Sequence, residues 1–290
     1  MKRLLILSGK GGTGKTTTAA AFLRFARARA AADCDVDAPN LHLVTEQTVS
    51  PAVSDFMGGD KAAVDPEKCI GCGTCLAHCR FGALRAVAGC VQVNEYACEG
   101  CGVCVQVCPR GAATLHSDTA GRKELYLDPG RTVFSTAALR MGRGNSGKLV
   151  TEVKMDMLKH APDTDLAIID GSPGIGCPVI ASVSGMDLVL VVAEPSGSGL
   201  SDLERLVKTA QTLETKLAVC VNKWDVSPGH TRAIRTFCEE RGIPFAGVIP
   251  YDRAASAAIN AGKSLADVDC PARDALREIF ETIKAWLELE

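Results

Sequence analysis

The sequence predicts an α/β protein in which helices cover both faces of a mostly parallel sheet, with a small cysteine-rich α+β insertion. Short, wholly apolar segments are typical of buried parallel strands, and segments of helical periodicity separate several of them. Nine of the 14 cysteines lie between Cys69 and Cys108 and interrupt this alternation. With 290 residues, 47% of them hydrophobic, the chain can bury a full core, which excludes overall disorder.

The charge balance excludes several classes of partner. The chain has 32 basic and 34 acidic side chains, whereas phosphate affinity in nucleic-acid binders comes mainly from clustered lysine and arginine. The apolar segment Leu4–Leu7 is too short for a secretory signal, and no stretch approaches the roughly 18 apolar residues that span a bilayer. We therefore expect a cytoplasmic protein without membrane or nucleic-acid partners. Clustered cysteines in that compartment indicate metal or redox chemistry.

The first predicted unit is a strand, a glycine-rich loop and a helix. Leu4–Leu7 is the strand, and a helical pattern runs from Thr16 to about Ala28. Residues 9–16 match G-x-x-x-x-G-K-[ST], a phosphate-binding loop in which glycines let backbone N–H groups surround phosphate oxygens. In that motif Lys15 neutralises β- and γ-phosphate charge and Thr16 ligates Mg²⁺. The predicted nucleotide contacts are Gly11, Gly12, Thr13, Gly14, Lys15, Thr16 and Thr17.

An additional lysine, Lys10, precedes these glycines. The segment from Lys10 to Thr17 resembles the deviant Walker A loop of the MinD/ParA, Mrp and nitrogenase iron-protein class of P-loop ATPases. The resemblance implies a P-loop NTPase sheet and a homodimer that encloses ATP between its subunits. It also implies that Lys10 reaches the nucleotide of the partner subunit.

Two acidic segments strengthen the resemblance. Residues 33–40, DCDVDAPN, resemble the first switch of the class, in which Asp35 would position the attacking water. Residues 166–174, LAIIDGSPG, resemble its Walker B strand and second switch, in which Asp170 would hold Mg²⁺ through water and Gly174 would sense the γ-phosphate. The segment Arg29–Ala32, expected to be the second strand, is rich in alanine and lacks β-branched residues, which is an unusual composition for a strand.

The cysteine-rich insertion, residues 62–118, contains an internal repeat and is expected to have short strands at most. Two runs share the spacing C-x2-C-x2-C-x3-C. They resemble bacterial two-cluster ferredoxins, which implies a small ferredoxin-like domain with two [4Fe-4S] clusters. The resemblance assigns to cluster I the residues Cys69, Cys72, Cys75 and Cys108. It assigns to cluster II the residues Cys98, Cys101, Cys104 and Cys79. Structural zinc, which usually takes two separated cysteine pairs, and disulfides are the alternatives.

After the insertion the α/β alternation resumes. Apolar segments on both sides of Pro129 and Gly130 predict a hairpin. The later predicted strands are Leu166–Ile169, Leu188–Val192, Ala218–Val221 and Phe245–Ile249. Asn222 and Asp225 then resemble the base-reading loop of GTPases. Because many ATPases of the deviant class keep an asparagine at this point, we expect ATP, with GTP as the alternative.

One further cysteine, Cys177, lies three residues after the segment that resembles the second switch. It is either a metal or cluster ligand at a dimer interface, as in the nitrogenase iron-protein, or a small buried residue. Free cysteines are commonly buried, which favours the second interpretation.

The whole pattern predicts two ATPase segments, residues 1–61 and 119–290, around the inserted domain. We expect a homodimer that hydrolyses ATP with Mg²⁺ and carries two [4Fe-4S] clusters. Its expected task is maturation or insertion of a metallocofactor or Fe–S cluster, with an unidentified metalloprotein or redox protein as partner. The alternatives are ATP-gated electron delivery, and a partitioning or positioning ATPase whose clusters are structural or sensory.

Overall fold

Strands and helices alternate along most of the chain. The structure, a computed structural model, describes residues 1–45, 47–128 and 131–289. The strands of the described residues are β1 (Lys2–Leu7), β2 (Ala30–Asp33), β3 (Ala52–Val64), β4 (Leu84–Val87), β5 (Cys90–Val93), β6 (Ala113–Asp128), β7 (Thr132–Leu139), β8 (Leu166–Asp170), β9 (Leu188–Ala193), β10 (Leu217–Asn222) and β11 (Phe245–Ile249). The helices are α1 (Lys15–Ala26), α2 (Thr74–His78), α3 (Val103–Gln106), α4 (Ser146–His160), α5 (Cys177–Val183), α6 (Gly197–Thr212), α7 (Pro228–Glu240), α8 (Arg253–Asn260) and α9 (Pro271–Trp286).

Seven strands form a parallel sheet in the order β11-β10-β9-β1-β8-β2-β7. The sheet continues with β6 next to β7 and β3 next to β6. Strands β4 and β5 form a separate antiparallel hairpin. Parallel strands end at one edge of a sheet, where α/β proteins bind their ligands. In register, Asp170 at the end of β8 pairs with Ile6 of β1 and with Asp33 of β2. The register therefore brings the phosphate loop and both acidic segments to one edge.

Both faces of the parallel sheet are buried. Leu4 and Ile6 belong to one cluster with helices α1 and α9, in which the rings of Phe22 and Phe280 lie 5.1 Å apart. Leu5, which points to the opposite face, is equally buried. A strand covered on both faces needs a continuous apolar segment, which is the pattern in the sequence. The predicted α/β fold with a mostly parallel sheet is confirmed.

Strand β2 forms despite its alanine-rich sequence. It lies between β8 and β7, and all four of its residues are buried. Backbone hydrogen bonds to two neighbouring strands, rather than side-chain propensity, define this strand, because β-propensity depends strongly on context.

The chain divides into two compact units. The first contains Met1–Val53, Lys123–Ala138 and the described residues from Ser146 onward; the second contains Ser54–Arg122 and Leu139–Asn145. The second unit is longer than the predicted insertion, because β3 and β6, of 13 and 16 residues, extend beyond the cysteines. Within residues 62–118 the described strands are short, as expected, since β4 and β5 have four residues each and only the ends of β3 and β6 enter the segment. Pro129 and Gly130, where a hairpin was predicted, lie outside the described residues.

The cysteine repeat has the same backbone path in both halves of the second unit. Gly71 and Gly100 have φ of 65° and 62°, and the helix caps Gly73 and Gly102 have φ of 75° and 76°. A Cβ atom on Gly71 would lie 2.4 Å from the carbonyl oxygen of Gly89, and one on Gly100 would lie 2.1 Å from that of Asp60. Only glycine allows these close approaches at positive φ.

We expect Gly100→Ala to destabilise the second unit more than Gly82→Ala does. Both glycines have positive φ, a conformation that costs a residue with a side chain about 1–2 kcal/mol. No atom within 4 Å would contact a Cβ at Gly82, whereas the Asp60 carbonyl obstructs one at Gly100 and adds about 1–3 kcal/mol of overpacking. Amide hydrogen exchange over residues 54–122 measures the difference, and equal losses would contradict this packing.

Among the described residues, no helix has the length and apolar character needed to cross a bilayer.

Candidate functional site

The phosphate loop joins β1 to α1 at the carboxyl edge of the sheet. Gly12 and Gly14 have φ of 79° and 96°, and Gly14 occupies the N-cap of α1. The backbone N–H groups of the first turn of α1 therefore face the loop, where an anion would accept their hydrogen bonds. The hydroxyl oxygen of Thr13 is buried and has no hydrogen-bond partner among the described residues, so it is a further polar group for a ligand.

Lys15 lies in a buried network of charges. Its Nζ lies 2.7 Å from Asp170 Oδ1 and 3.6 Å from Asp35 Oδ2, and its side chain is 6% exposed. Burial lowers the pKa of Lys15, but Asp170 and then Asp35 raise it by more, so the ammonium stays charged. Burial also raises the pKa of both Asp170 and Asp35, and Lys15 opposes that effect.

Thr16 and Asp170 present two oxygen atoms at one point. The Thr16 hydroxyl donates to Asp170 Oδ2 at 2.6 Å. Hydroxyl and carboxylate oxygens are the ligands that Mg²⁺ prefers, and a magnesium site beside a phosphate loop usually takes few protein ligands. These two residues therefore fit a Mg²⁺ site.

Asp33 organises the 33–40 loop, a role that the sequence analysis missed. Its carboxylate accepts backbone N–H groups from Asp35 at 3.0 Å and from Asn40 and Leu41 at 2.9 Å each. Burial and the neighbouring Asp170 raise the pKa of Asp33 to about 7, while these donors lower it. The loop that carries Asp35 is thus folded around a buried carboxyl group. An aspartate at the end of a strand, followed by a proline-containing loop, was the available signal.

The 171–176 loop is tied to the phosphate loop. The Gly174 N–H donates to the Ser8 carbonyl at 3.0 Å, with Gly174 at φ 96°. The loop leads directly into α5, whose first residue is the exposed Cys177. The expectation that Cys177 is a small buried residue was therefore wrong for the single chain.

Lys10 is held by its own chain. Its Nζ forms an ion pair with Glu194, the residue directly after β9, and lies 3.5 Å from the Ser198 hydroxyl. The lysine side chain is 40% exposed. Glu194 was also missed in the sequence analysis, because nothing in its local sequence places it beside residue 10.

Asn222 and Asp225 both form internal hydrogen bonds. The Asn222 amide donates to the Thr13 carbonyl at 2.7 Å, and Asp225 Oδ1 accepts the Tyr251 N–H at 2.7 Å. A cavity at this edge is lined by Gly12, Thr17, Asn222, Lys223, Pro250 and Tyr251, among others, and Asp225 is not part of its lining. Asn222 supports the phosphate loop, and one of the two Asp225 oxygens that would read a guanine base is occupied.

We expect Asn222→Ala to weaken ADP binding about tenfold, since it leaves the buried Thr13 carbonyl without its donor at a cost of about 1–2 kcal/mol. Calorimetric titration with MgADP measures the change. Asn260→Ala, at the last residue of α8, is the matched control and should bind as the parent does. If Asn222→Ala binds MgADP with unchanged affinity, Asn222 does not support the phosphate loop.

The second unit contains two cysteine-lined cavities of similar size. The first, the Cys69 cavity, is lined by Cys69, Cys72, Cys75 and Cys108, among others. The second, the Cys98 cavity, is lined by Cys79, Cys98, Cys101 and Cys104, among others. Each cavity takes three cysteines from one run and the last cysteine from the other.

Backbone N–H groups point at the sulfur atoms of these cavities. Ala112 donates to Cys108 Sγ at 3.2 Å, and Ala62 and Gly100 donate to Cys98 Sγ at 3.4 and 3.5 Å. Backbone donors also lower the pKa of Cys69 and Cys108, which favours their thiolate forms. A thiolate-bound iron–sulfur cluster needs both features, four sulfurs around one cavity and donors to the sulfurs. Among the described residues, no three His, Cys, Asp or Glu side chains converge as a site for a single metal ion.

Relatives similar along the whole chain occur in Methanocaldococcus jannaschii. One uncharacterized protein is 29% identical over 291 residues, covering 98% of this chain and 97% of the relative. An uncharacterized ATP-binding protein of the same organism is 25% identical over 288 residues, covering 95% of this chain and 85% of the relative.

Solved structures of low identity share the fold. The cell division ATPase MinD of Pyrococcus furiosus matches with a TM-score of 0.58 at 16% identity, covering 98% of this chain and 99% of that one. An ATP complex of McdA from Cyanothece matches with a TM-score of 0.58 at 18% identity, covering 100% and 97%. The model of the CobQ/CobB/MinD/ParA nucleotide binding domain family matches residues 4–265. Together with the phosphate loop at the sheet edge, this match shows that the chain belongs to the CobQ/CobB/MinD/ParA family of nucleotide-binding domains.

Proposed function

We propose that the chain is a Mg²⁺-dependent ATPase whose two copies enclose the nucleotides, and that it carries two [4Fe-4S] clusters. The observation that carries the proposal is the combination, in one chain, of the Lys15–Asp170–Thr16 network and two cavities lined by four cysteines each. Family membership supports nucleotide binding, and the remainder rests on the chemistry of these residues.

The ATP site divides the work of phosphoryl transfer among its side chains. Transfer to water needs charge neutralisation and an aligned nucleophile more than covalent chemistry. Lys15 moves from Asp170 to the β- and γ-phosphate oxygens, while Thr16 and Asp170 hold Mg²⁺, which neutralises phosphate charge when bound. Asp35 accepts a hydrogen bond from the attacking water and orients it, and the Gly174 N–H exchanges the Ser8 carbonyl for a γ-phosphate oxygen.

Dimer formation depends on Lys10. In this structure Lys10 pairs with Glu194 of its own chain, and breaking that pair releases the ammonium towards a triphosphate on a second copy. A triphosphate offers several anionic oxygens in place of one carboxylate, so the exchange is favourable with ATP and less so with ADP.

The resident clusters supply one-electron transfer when bound. Each cavity offers four cysteines, whose thiolates would hold every iron of a [4Fe-4S] cluster without a ligand from outside the chain. A cluster whose irons are all held by the chain's own cysteines fits an electron carrier that keeps its cluster better than a protein that transfers its cluster to a target. We therefore favour ATP-gated electron delivery to a metalloprotein over the cofactor maturation that the sequence analysis expected.

Redox titration of the anaerobically purified protein, with MgADP or with a non-hydrolysable ATP analogue, tests the preference for electron delivery over cofactor maturation. A nucleotide-dependent shift in midpoint potential, with iron retained, supports electron delivery. Transfer of iron and sulfide to an apo-ferredoxin instead favours maturation. If the potential and the iron are both unaffected while the ATP-bound dimer binds DNA, the positioning alternative replaces both.

A further inference from the structure

The two halves of the second unit are related residue by residue, with a constant offset of 29 positions. The N–H of Cys69 donates to the Asp65 carbonyl, and that of Cys98 donates to the Asn94 carbonyl, both at 3.0 Å. The loop glycines Gly71 and Gly100 and their neighbours follow the same offset. Where two matched residues differ chemically, the surroundings of the two otherwise similar cavities therefore differ in the same way.

At one matched pair of positions, a partly buried charged side chain hydrogen-bonds to a cavity cysteine in one half and not in the other. Position 61 is a lysine whose Nζ donates to the backbone carbonyl of Cys98 at 2.5 Å, in a partly buried bond. Its counterpart at position 90 is an uncharged cysteine, whose thiol donates to the backbone carbonyl of Val91 at 3.6 Å. The Cys98 cavity therefore has a fixed positive charge on one of its ligand residues, and the Cys69 cavity has none at the matched place.

The charged residues that line the two cavities, Glu99 and Arg110, are exposed. Glu99 lines the Cys98 cavity, and its matched residue in the other half is Ile70. Arg110 lines the Cys69 cavity, and its matched residue is Phe81. Lys68 pairs with Asp65 at 3.2 Å, which cancels both charges. Solvent and salt screen exposed charges strongly, whereas a partly buried charge in a fixed hydrogen bond is screened much less. Lys61 is therefore the dominant difference.

We propose that Lys61 makes the two clusters electrochemically unequal, so that the cluster in the Cys98 cavity is the easier to reduce. The inference rests on the proposed clusters. Reduction adds one negative charge to a cluster, and a nearby ammonium stabilises that charge. An external low-potential one-electron donor would first reduce the cluster in the Cys69 cavity from [4Fe-4S]²⁺ to [4Fe-4S]⁺, and that cluster would return to [4Fe-4S]²⁺ as the electron passes on. It reduces the other cluster from [4Fe-4S]²⁺ to [4Fe-4S]⁺, and no proton moves.

The test uses the full chain with one cluster left. Cys72→Ala leaves the cluster of the Cys98 cavity, and Lys61→Met or Lys61→Arg is added to it. EPR-monitored titration with dithionite then gives the midpoint potential. At a fixed potential, Lys61→Met should lower the ratio of reduced to oxidised cluster about tenfold, which is about 59 mV for a one-electron couple. Lys61→Arg should retain the parent ratio within about threefold.

Lys68→Met is the matched control, a lysine near the other cavity, and should change the ratio less than twofold. Iron content shows whether each variant has folded around its cluster. An iron-replete Lys61→Met variant with an unshifted potential overturns this inference alone. A parent protein without iron and acid-labile sulfide overturns the proposed function and this inference with it.

Discussion

Lys15→Ala is expected to lower the rate of ATP hydrolysis at least about a hundredfold. Lys15 carries the buried positive charge nearest to Asp170 and Asp35 at the phosphate loop. Removing one preorganised electrostatic contact of this kind typically costs about 10²–10³ in turnover. Steady-state release of phosphate, with saturating MgATP, measures the effect.

Two controls separate chemistry from folding in this experiment. Lys208→Ala removes an exposed lysine of α6 and should hydrolyse ATP within about twofold of the parent rate. Circular dichroism of Lys15→Ala checks that its helices form, since the variant leaves two buried carboxyl groups without their partner. A folded Lys15→Ala protein that hydrolyses ATP at the parent rate would exclude the phosphate loop as the catalytic site.

Cys72→Ala and Cys101→Ala are each expected to halve the bound iron. Each alanine removes one of the four thiolates of a different cavity, so about four of about eight irons should remain in either variant and almost none in the double variant. Both cysteines are exposed, so their replacement costs little packing energy. Metal analysis by mass spectrometry, together with acid-labile sulfide, gives the counts under anaerobic conditions.

Cys177→Ala is the control for the iron counts. Cys177 is an exposed cysteine that lines neither cavity, and its replacement should leave about eight irons in the MgADP-bound protein, which we expect to be a monomer. Zinc in place of iron, or full iron in Cys72→Ala, would contradict the assignment of the cavities to [4Fe-4S] clusters.

The strands of the parallel sheet were predictable because burial on both faces demands continuous apolar segments. Leu4–Leu7 and Leu188–Val192 show this pattern directly. Ala30–Asp33 does not, because its strand is defined by hydrogen bonds to neighbours distant in sequence. The length of β6 was missed for a similar reason: much of it is exposed, so its polar residues do not form a buried-strand pattern.

The candidate site was predictable where a motif is contiguous. The glycine loop, Lys15 and the cysteine runs each occupy one short segment with a known spacing. Asp33 and Glu194 were not found, since their roles depend on partners up to 184 positions away or on the folded path of a loop. The division of the eight cysteines between two ligand sets remains an assignment by resemblance, which the lining of the two cavities supports.

Anaerobic sedimentation velocity, recorded at the visible absorbance of iron–sulfur clusters, tests the central claim most directly. It compares the protein with MgADP and with a non-hydrolysable MgATP analogue. We expect the coloured species to sediment as a monomer with ADP and as a dimer with the analogue. A colourless protein, or a coloured one that sediments identically with both nucleotides, would contradict a nucleotide switch that carries clusters.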